Sequence, residues 1–589
     1  MTFTFIGFNA MVYYILFRNK FLTQELDSIF RGISFFILPI LIYFSLLMGL
    51  ELGWIYIHTF FVIIFIIKKV HIKKLNFHKI ASSCRKIPNI FLKSQKYMFI
   101  ILIFEIIYIH FYDASTNISM THSDNLANYN WALFHSSFNQ ISYPPGISGF
   151  LIPLMNLVNI KYFLNFIGAT FGISLLIVII IILKSFMSNN QIILFMGIIA
   201  LPIFNSLTLS RIGIHGGAFY PIVVLLALGL FIKLSQQFNK NEIKIYLYLF
   251  SLTFLIGGLF APHQTISLLI LSLTLLIALS FVGKISPFQS LLFYLSMVAG
   301  YIFSLLYLSQ SRVRSISNIV SADSPISKVP TGPSQSNANT LTYFVYDFFS
   351  IKLPIRPFFE SYLSSFAYIA IIFAFITLFV SLKKRNVIVF VVSVFTIFYG
   401  MITQIGIFEF SYAKGRAGWN FMYLFAILLC LIITIYVTRI RPFLLFAIVV
   451  LNFSVLVFPP TKYRYETESA LYRLREVLEV DRSSKINLYT DFPNAWNVDR
   501  RIQIVNTPLI KFPENESLYV LLNLQKDIPD IYLANIRKYE DRNFNLYFSN
   551  QEKLIAKRLI LNTDLLSKLS RENYSILISD PLYVLLKSN

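Results

Sequence analysis

Residues 163–183 read FLNFIGATFGISLLIVIIIIL, twenty-one residues without one Asp, Glu, Lys, Arg or His. A helix of that length rises about 1.5 Å per residue and spans the roughly 30 Å hydrocarbon core of a bilayer. It also satisfies every backbone N–H and C=O within the segment, as lipid demands. Lys161 and Lys184 bracket the run. Working outward, similar runs lie at 1–17, 33–50, 52–67, 98–112, 191–207, 217–232, 245–260, 265–282, 288–308, 361–382, 387–403, 418–437 and 443–458, about fourteen in all. The first has neither a basic n-region nor a small-residue cleavage site, so it reads as a membrane helix rather than a signal peptide.

The composition of the 589 residues agrees. Hydrophobic residues make up 56% and charged ones 13%, against about 25% charged in a soluble domain. Mean hydropathy is +0.67. Water could not solvate such a chain, so it is a polytopic membrane protein. Cys84 and Cys430, the two cysteines, exclude a disulfide framework and a cysteine-based zinc site.

The formal charge of +22 is a matter of topology. The stretch 459–589 is nearly neutral, with 19 basic and 17 acidic residues, so residues 1–458 hold 31 basic and 11 acidic ones (50 − 19 and 28 − 17). These cations punctuate apolar runs instead of forming the basic face that nucleic acid requires. The stretch Lys68–Lys96 carries nine of them and no acid, which makes it cytoplasmic. Alternating outward puts Arg18, Lys20, Arg31, Lys184, Lys233–Lys244, Lys284, Lys383–Arg385, Arg439 and Arg441 on the same side. Nine remain outside: Lys161, Arg211, Arg312, Arg314, Lys328, Lys352, Arg356, Lys414 and Arg416.

The expected organisation is therefore a transmembrane unit, 1–458, followed by an extracytoplasmic α/β domain, 459–589. Two long outer loops fall at about 113–161 and 309–360. The second contains SPISKVPTGPSQSNANT, the composition of a mobile connector. After Phe458-Pro459-Pro460 comes a charged helical pattern, TESALYRLREVLEV, then the strand-like runs KINLYT, RIQIV, SLYVLLNL, YSILIS and LYVLLK.

Few acids remain outside. Asp113 and Asp124 share the first outer loop, where Leu126, Tyr129, Ala132 and Leu133 recur at helical spacing. That pattern predicts a short amphipathic helix at the interface with Asp124 at its N-terminus. As an N-cap alone Asp124 would need no further role. His122, Asp124 and His135 could offer two imidazoles and a carboxylate, but no fourth metal ligand accompanies them, and no cofactor is expected.

The order of elements adds to this. A helix exits outward, then come Asp124-Asn125, Tyr129, Ala132 and Tyr143-Pro144-Pro145-Gly146 before the chain re-enters. This resembles the first outer loop of the GT-C superfamily of polyprenyl-phosphate-sugar glycosyltransferases, with a layout closer to its arabinofuranosyltransferase-like members. The residue-level match covers about Asp124–Gly146. Asn125 stands where many members have a second acid.

The resemblance implies a GT-C fold and transfer of a sugar from a polyprenyl-phosphate donor to a hydroxyl of a glycan, lipid or protein acceptor of the cell envelope. The reaction would take place on the outer face of the plasma (inner) membrane. Asp124 is then the expected base and Asp113 its reserve. Asn125, Tyr129, His122, Tyr143, His215 and His263 are expected substrate contacts. A lipid phosphate leaving group needs fixed cations near the boundary. Arg211, beside His215 and Gly216-Gly217, and Lys414 and Arg416, in a turn before a helix, rank first, followed by Arg312, Arg314 and Arg356. Lipid-headgroup contact would equally explain such residues. The rival readings are a polysaccharide polymerase or ligase, and a lipid-linked-sugar transporter or flippase. Transporters place ionisable residues inside their helices, where the sequence offers clearly only Glu105.

Overall fold

The computed structural model describes residues 24–47, 53–70, 130, 149–152, 164–199, 219–238, 242–310, 359–404, 411–436, 448, 450, 470–481, 483, 485–490, 501–505, 508, 516–524, 561–572, 574–579 and 583–589. Within them the membrane part contains α1 (Gln24–Leu47), α2 (Gly53–Val70), α3 (Leu164–Leu183), α4 (Asn189–Ile199), α5 (Tyr220–Gln237), α6 (Ile243–Phe260), α7 (Pro262–Phe281), α8 (Pro287–Gln310), α9 (Phe359–Lys384), α10 (Val387–Gln404) and α11 (Ser411–Tyr436). Nearly every one coincides with an apolar run of the sequence. The predicted helices at 1–17 and 98–112 lie outside the described residues, as does most of 443–458.

Among the described residues four stretches are long and apolar enough to cross a membrane: Ile243–Phe260, Gln264–Phe281, Pro287–Leu306 and Ala367–Lys384. Shorter apolar helices lie at Ile55–Ile64, Ser174–Leu183, Tyr220–Gln236, Val387–Thr403 and Asn420–Tyr436. The chain is thus a helical protein built for a bilayer. α1 differs from its apolar run, 33–50, by starting at Gln24 and taking in Glu25, Asp27 and Arg31. Asp27 and Arg31 pair at 2.7 Å across one turn, which lets the helix continue through a charged segment that hydropathy alone would cut off.

Burial sorts the helices into centre and rim. α5 is buried on all sides from Tyr220 to Leu234, and α11 from Asn420 to Leu424; a helix apolar all round belongs inside. α6, α7 and α10 pack around α5, with α1 and α3 on its other flank. α8 and α9 lie at the rim. α8 turns Phe293, Met297, Gly300, Tyr301 and Ser304 inward and leaves Phe288, Leu291, Leu295, Ile302 and Leu306 exposed. On α9, Ile372, Phe375, Phe379 and Leu382 form the corresponding stripe, Phe379 being 71% exposed. Apolar stripes of that length are compatible with a lipid surface.

Lipid supplies no hydrophobic drive between helices, so close packing has to hold them together. α6 and α8 show how. A Cβ on Gly300 would lie 2.1 Å from the Ser251 carbonyl oxygen, and one on Gly258 would strike the Ser304 side chain.

The C-terminal region holds α12 (Ala470–Val480) and strands β1 (Lys485–Thr490), β2 (Ile502–Ile504), β3 (Glu516–Asn523), β4 (Tyr574–Ser579) and β5 (Tyr583–Ser588). All five strand-like runs of the sequence are strands. Their order is β2-β1-β3-β5-β4; β1 pairs parallel with β2 and β3, while β5 runs antiparallel between β3 and β4. β3 is buried on both faces. Val520 and Leu522 meet Leu565 and Leu569 of a helix at 561–569, and Tyr519 and Leu521 point to the opposite face. α12 packs on β3, β4 and β5. The sheet is mixed, with two parallel and two antiparallel pairings, and its central strand β3 is covered on both faces.

A polar network ties α12 to the sheet. Arg501 donates to the carbonyls of Leu478 and Asp481 at 2.7 and 2.6 Å, closing the C-terminal end of the helix. Asp481 accepts the Ser483 amide at 2.8 Å and the Tyr519 hydroxyl at 2.7 Å. Burial works to raise the Asp481 carboxyl, but hydrogen bonds from Ser483, Tyr519 and Ser517 outweigh it and hold the group at about 2. Tyr519 moves upward, through burial first and then its bond to Asp481. On the neighbouring edge Asn487 donates to Glu516 at 2.7 Å and draws that carboxyl downward.

Candidate functional site at one end of the helix bundle

Most of the expected site residues lie outside the described ones: Asp113, His122, Asp124, Asn125, Tyr129, Tyr143, Arg211, His215, Arg312, Arg314 and Arg356. His135 does too. The structure does describe the stretches that lead into or out of their segments, and these come together.

From the Asp124 segment the structure describes Asn130, which is helical and 1% exposed. Asn130 lies four residues after Leu126 and three before Leu133, on the apolar side of the expected helix, so that side carries a buried amide. The segment after Tyr143-Pro-Pro-Gly146 resumes as helix at Gly149 and Phe150. Gly149 sits against α1 where Pro39 interrupts it; a Cβ there would be 2.2 Å from the Pro39 carbonyl oxygen. Only glycine permits that approach.

Phe150 then enters a cluster of rings. Its centroid is 5.4 Å from Phe219, 5.7 Å from Phe260 and 6.0 Å from Phe36. Phe219 and Phe260 are 4.6 Å apart, and Phe36 lies 5.9 and 5.3 Å from them. Phe219 ends the segment that carries Arg211 and His215, and Phe260 ends α6, three residues before His263 in the first turn of α7. The cluster therefore brings together the described flanks of three segments marked in the sequence, against α1.

Beside it stands a buried polar triad. The Tyr399 hydroxyl donates to Gln264 Oε1 at 2.5 Å. Asn420 Nδ2 donates to the Tyr399 oxygen at 2.7 Å and to Gln264 Oε1 at 3.2 Å. The three side chains are 0%, 3% and 1% exposed respectively for Tyr399, Gln264 and Asn420. Among the described residues, Asn420 Oδ1 has no hydrogen-bond partner. Gln264 adjoins His263, the second residue of α7.

Asn420 connects the triad to the expected phosphate-binding pair. Lys414 and Arg416 do not occupy a turn before a helix, as the glycines of SYAKGRAGWN suggested; both lie within α11, which begins at Ser411. Gly415 and Gly418 lower helix propensity by only about 1 kcal/mol each, which does not by itself end a helix. Arg416 thus stands four residues before Asn420 and shares its helix face, one turn nearer the N-terminus.

The opposite helix ends meet as well. Gln191 at the start of α4 donates to Thr434 near the end of α11 at 2.9 Å. Lys384 at the end of α9 lies 5.5 Å over the Tyr436 ring. Phe238, just past α5, is 5.9 Å from Phe293 near the start of α8. Lys233, near the end of α5, thus lies at the other end of that helix from Phe219.

Among the described residues no three His, Cys, Asp or Glu side chains form a metal-binding group. No protein-family model matches the chain, and no curated protein matches it. Gln264, Tyr399 and Asn420 went unmarked in the sequence reading. Their signal is an uncharged polar residue within or at the edge of an apolar run, which charge counting passes over.

Proposed function

We propose that this chain is a membrane glycosyltransferase of GT-C type. It moves a sugar from a polyprenyl-phosphate donor to an acceptor hydroxyl of a cell-envelope glycan, lipid or protein on the non-cytoplasmic face. The observation that carries the reading is the aromatic cluster of Phe36, Phe150, Phe219 and Phe260, which draws the flanks of the Tyr143-Pro-Pro-Gly, Arg211/His215 and His263 segments to one end of the bundle. The sequence marked these segments separately, for reasons unrelated to packing.

The acceptor oxygen attacks the anomeric carbon, and its proton passes to the Asp124 carboxylate. The bond from that carbon to the phosphate oxygen breaks, and the lipid phosphate leaves with the electron pair. Arg416, Lys414 and Arg211 offset the growing charge. A transporter would need ionisable groups within its helices. Among the described residues of the membrane helices, Lys233 is the one buried charge, and it lies at the opposite end from the aromatic cluster.

The test is transfer from a panel of polyprenyl-phospho-sugars by the purified protein. Asp124→Asn keeps shape and capping capacity but removes the basic oxygen, so turnover should fall about 10²-fold or more. Near-normal transfer by a well-folded Asp124→Asn protein would sink the assignment. Loss confined to Asp113→Asn would move the base to Asp113.

A further inference from the structure

The triad of Gln264, Tyr399 and Asn420 contains more hydrogen-bonding capacity than it uses. Gln264 Oε1 accepts twice, from Tyr399 and Asn420, and the Tyr399 oxygen both donates and accepts. Asn420 donates twice through Nδ2, yet its Oδ1 is buried with no donor among the described residues. An unmet buried acceptor costs about 1–3 kcal/mol, and the apolar helices around it offer no substitute.

We infer that Asn420 Oδ1 is a recognition point for a hydroxyl of the donor's sugar, a deepening that rests on the function proposed above. Three observations determine the class of ligand. The orphan atom is an acceptor, so the ligand brings a donor. The triad is uncharged, and a cationic ligand would leave its charge uncompensated among apolar helices; a neutral hydroxyl carries no such penalty. Arg416 stands one turn further toward the N-terminus on the same face of α11, so one ligand can present a phosphate to that turn and a hydroxyl one turn deeper. Tyr399 and Gln264 act as positioning residues. They hold the Asn420 amide by its nitrogen and so fix where its oxygen lies.

The experiment uses the full-length protein in detergent and compares undecaprenyl phosphate with undecaprenyl-phospho-hexoses as binding probes. The wild type should bind at least one glycosylated lipid more tightly than the bare phosphate. Asn420→Ala should erase that preference, weakening the glycosylated probe about five- to tenfold, the worth of one neutral hydrogen bond, while leaving the bare phosphate unchanged. Tyr399→Phe removes the hydroxyl of the triad but keeps Oδ1. It should lower thermal stability and retain part of the preference.

Equal loss of both probes in Asn420→Ala would show a merely structural amide and overturn the inference. So would equal effects of Asn420→Ala and Tyr399→Phe on stability and preference. A wild type that binds both lipids alike would also overturn it, and weaker bare-phosphate binding by Arg416→Ala would then leave the glycosyltransferase reading standing. A wild type that binds neither lipid refutes that reading, and the inference with it.

Discussion

Gly149→Ala places one methyl group where the first outer segment rests on α1. The added Cβ would lie 2.2 Å from the Pro39 carbonyl oxygen, 2.8 Å from its carbon and 3.0 Å from its Cα. All three are backbone atoms, so no rotamer change relieves the contact. Real Cβ contacts do not fall below 3.0 Å, so the two backbones must part by about 0.8 Å (3.0 − 2.2). Overpacking of this kind costs about 1–3 kcal/mol. Phe150 is the next residue, and its ring contacts with Phe36, Phe219 and Phe260 are worth about 0.5–1.5 kcal/mol each, part of which is lost. Alanine returns about 1 kcal/mol of helix propensity. The net is a destabilisation of about 2–4 kcal/mol.

Gly400→Ala is the matched control. Its Cβ would clash with the Ile371 side chain, at 2.3 and 2.5 Å, and touch the Phe421 ring at an ordinary 3.6 Å; both are side chains, and a side chain can turn away. The measurement is the fraction of protein surviving a heating series, read by size exclusion in detergent, together with glycosyl transfer. Gly149→Ala should melt several degrees below Gly400→Ala and lose activity. If the two variants melt together, the close approach at Pro39 does not hold the segment, and the packing argument for the site fails.

Three further outcomes are expected. Single cysteines at Ser119, Ser334 and Ser549 should react with an impermeant reagent in intact cells and one at Ser94 should not; the reverse pattern would invert the topology. Arg416→Ala should raise the donor KM and slow turnover together, because the phosphate is held in the ground state and gains charge in the transition state; unchanged kinetics would return Arg416 to a headgroup contact. Asp481 has a folded value of about 2 against an ordinary 3.8, so its stabilisation is complete above pH 4 and fades as pH falls toward 2. Solvent screening leaves about 1 kcal/mol of it. Amide exchange in β1 and β3 of the intact protein, corrected for intrinsic rates, should therefore lose protection between pH 4.5 and 2.5, and Asp481→Asn should flatten that dependence.

The sequence by itself determined the membrane class, the positions of nearly all the described helices and the five strands of the C-terminal sheet. Each of these follows from a local quantity: an apolar run long enough for a bilayer, or a short β-rich stretch between turns. Strand order was not legible, because parallel pairing of β1 with β2 and β3 depends on contacts distant in the chain. The α11 boundary differs at SYAKGRAGWN, since two glycines lower helix propensity there without being enough to end the helix. Only the tertiary structure brought Gln264, Tyr399 and Asn420 together. They come from three helices, and no pattern within one helix records which polar residue will face another across the bundle. The rings of Phe36, Phe150, Phe219 and Phe260 are four among 60 phenylalanines, and what sets them apart is the close approach of backbones at Gly149 and Pro39, a property of the packed bundle alone.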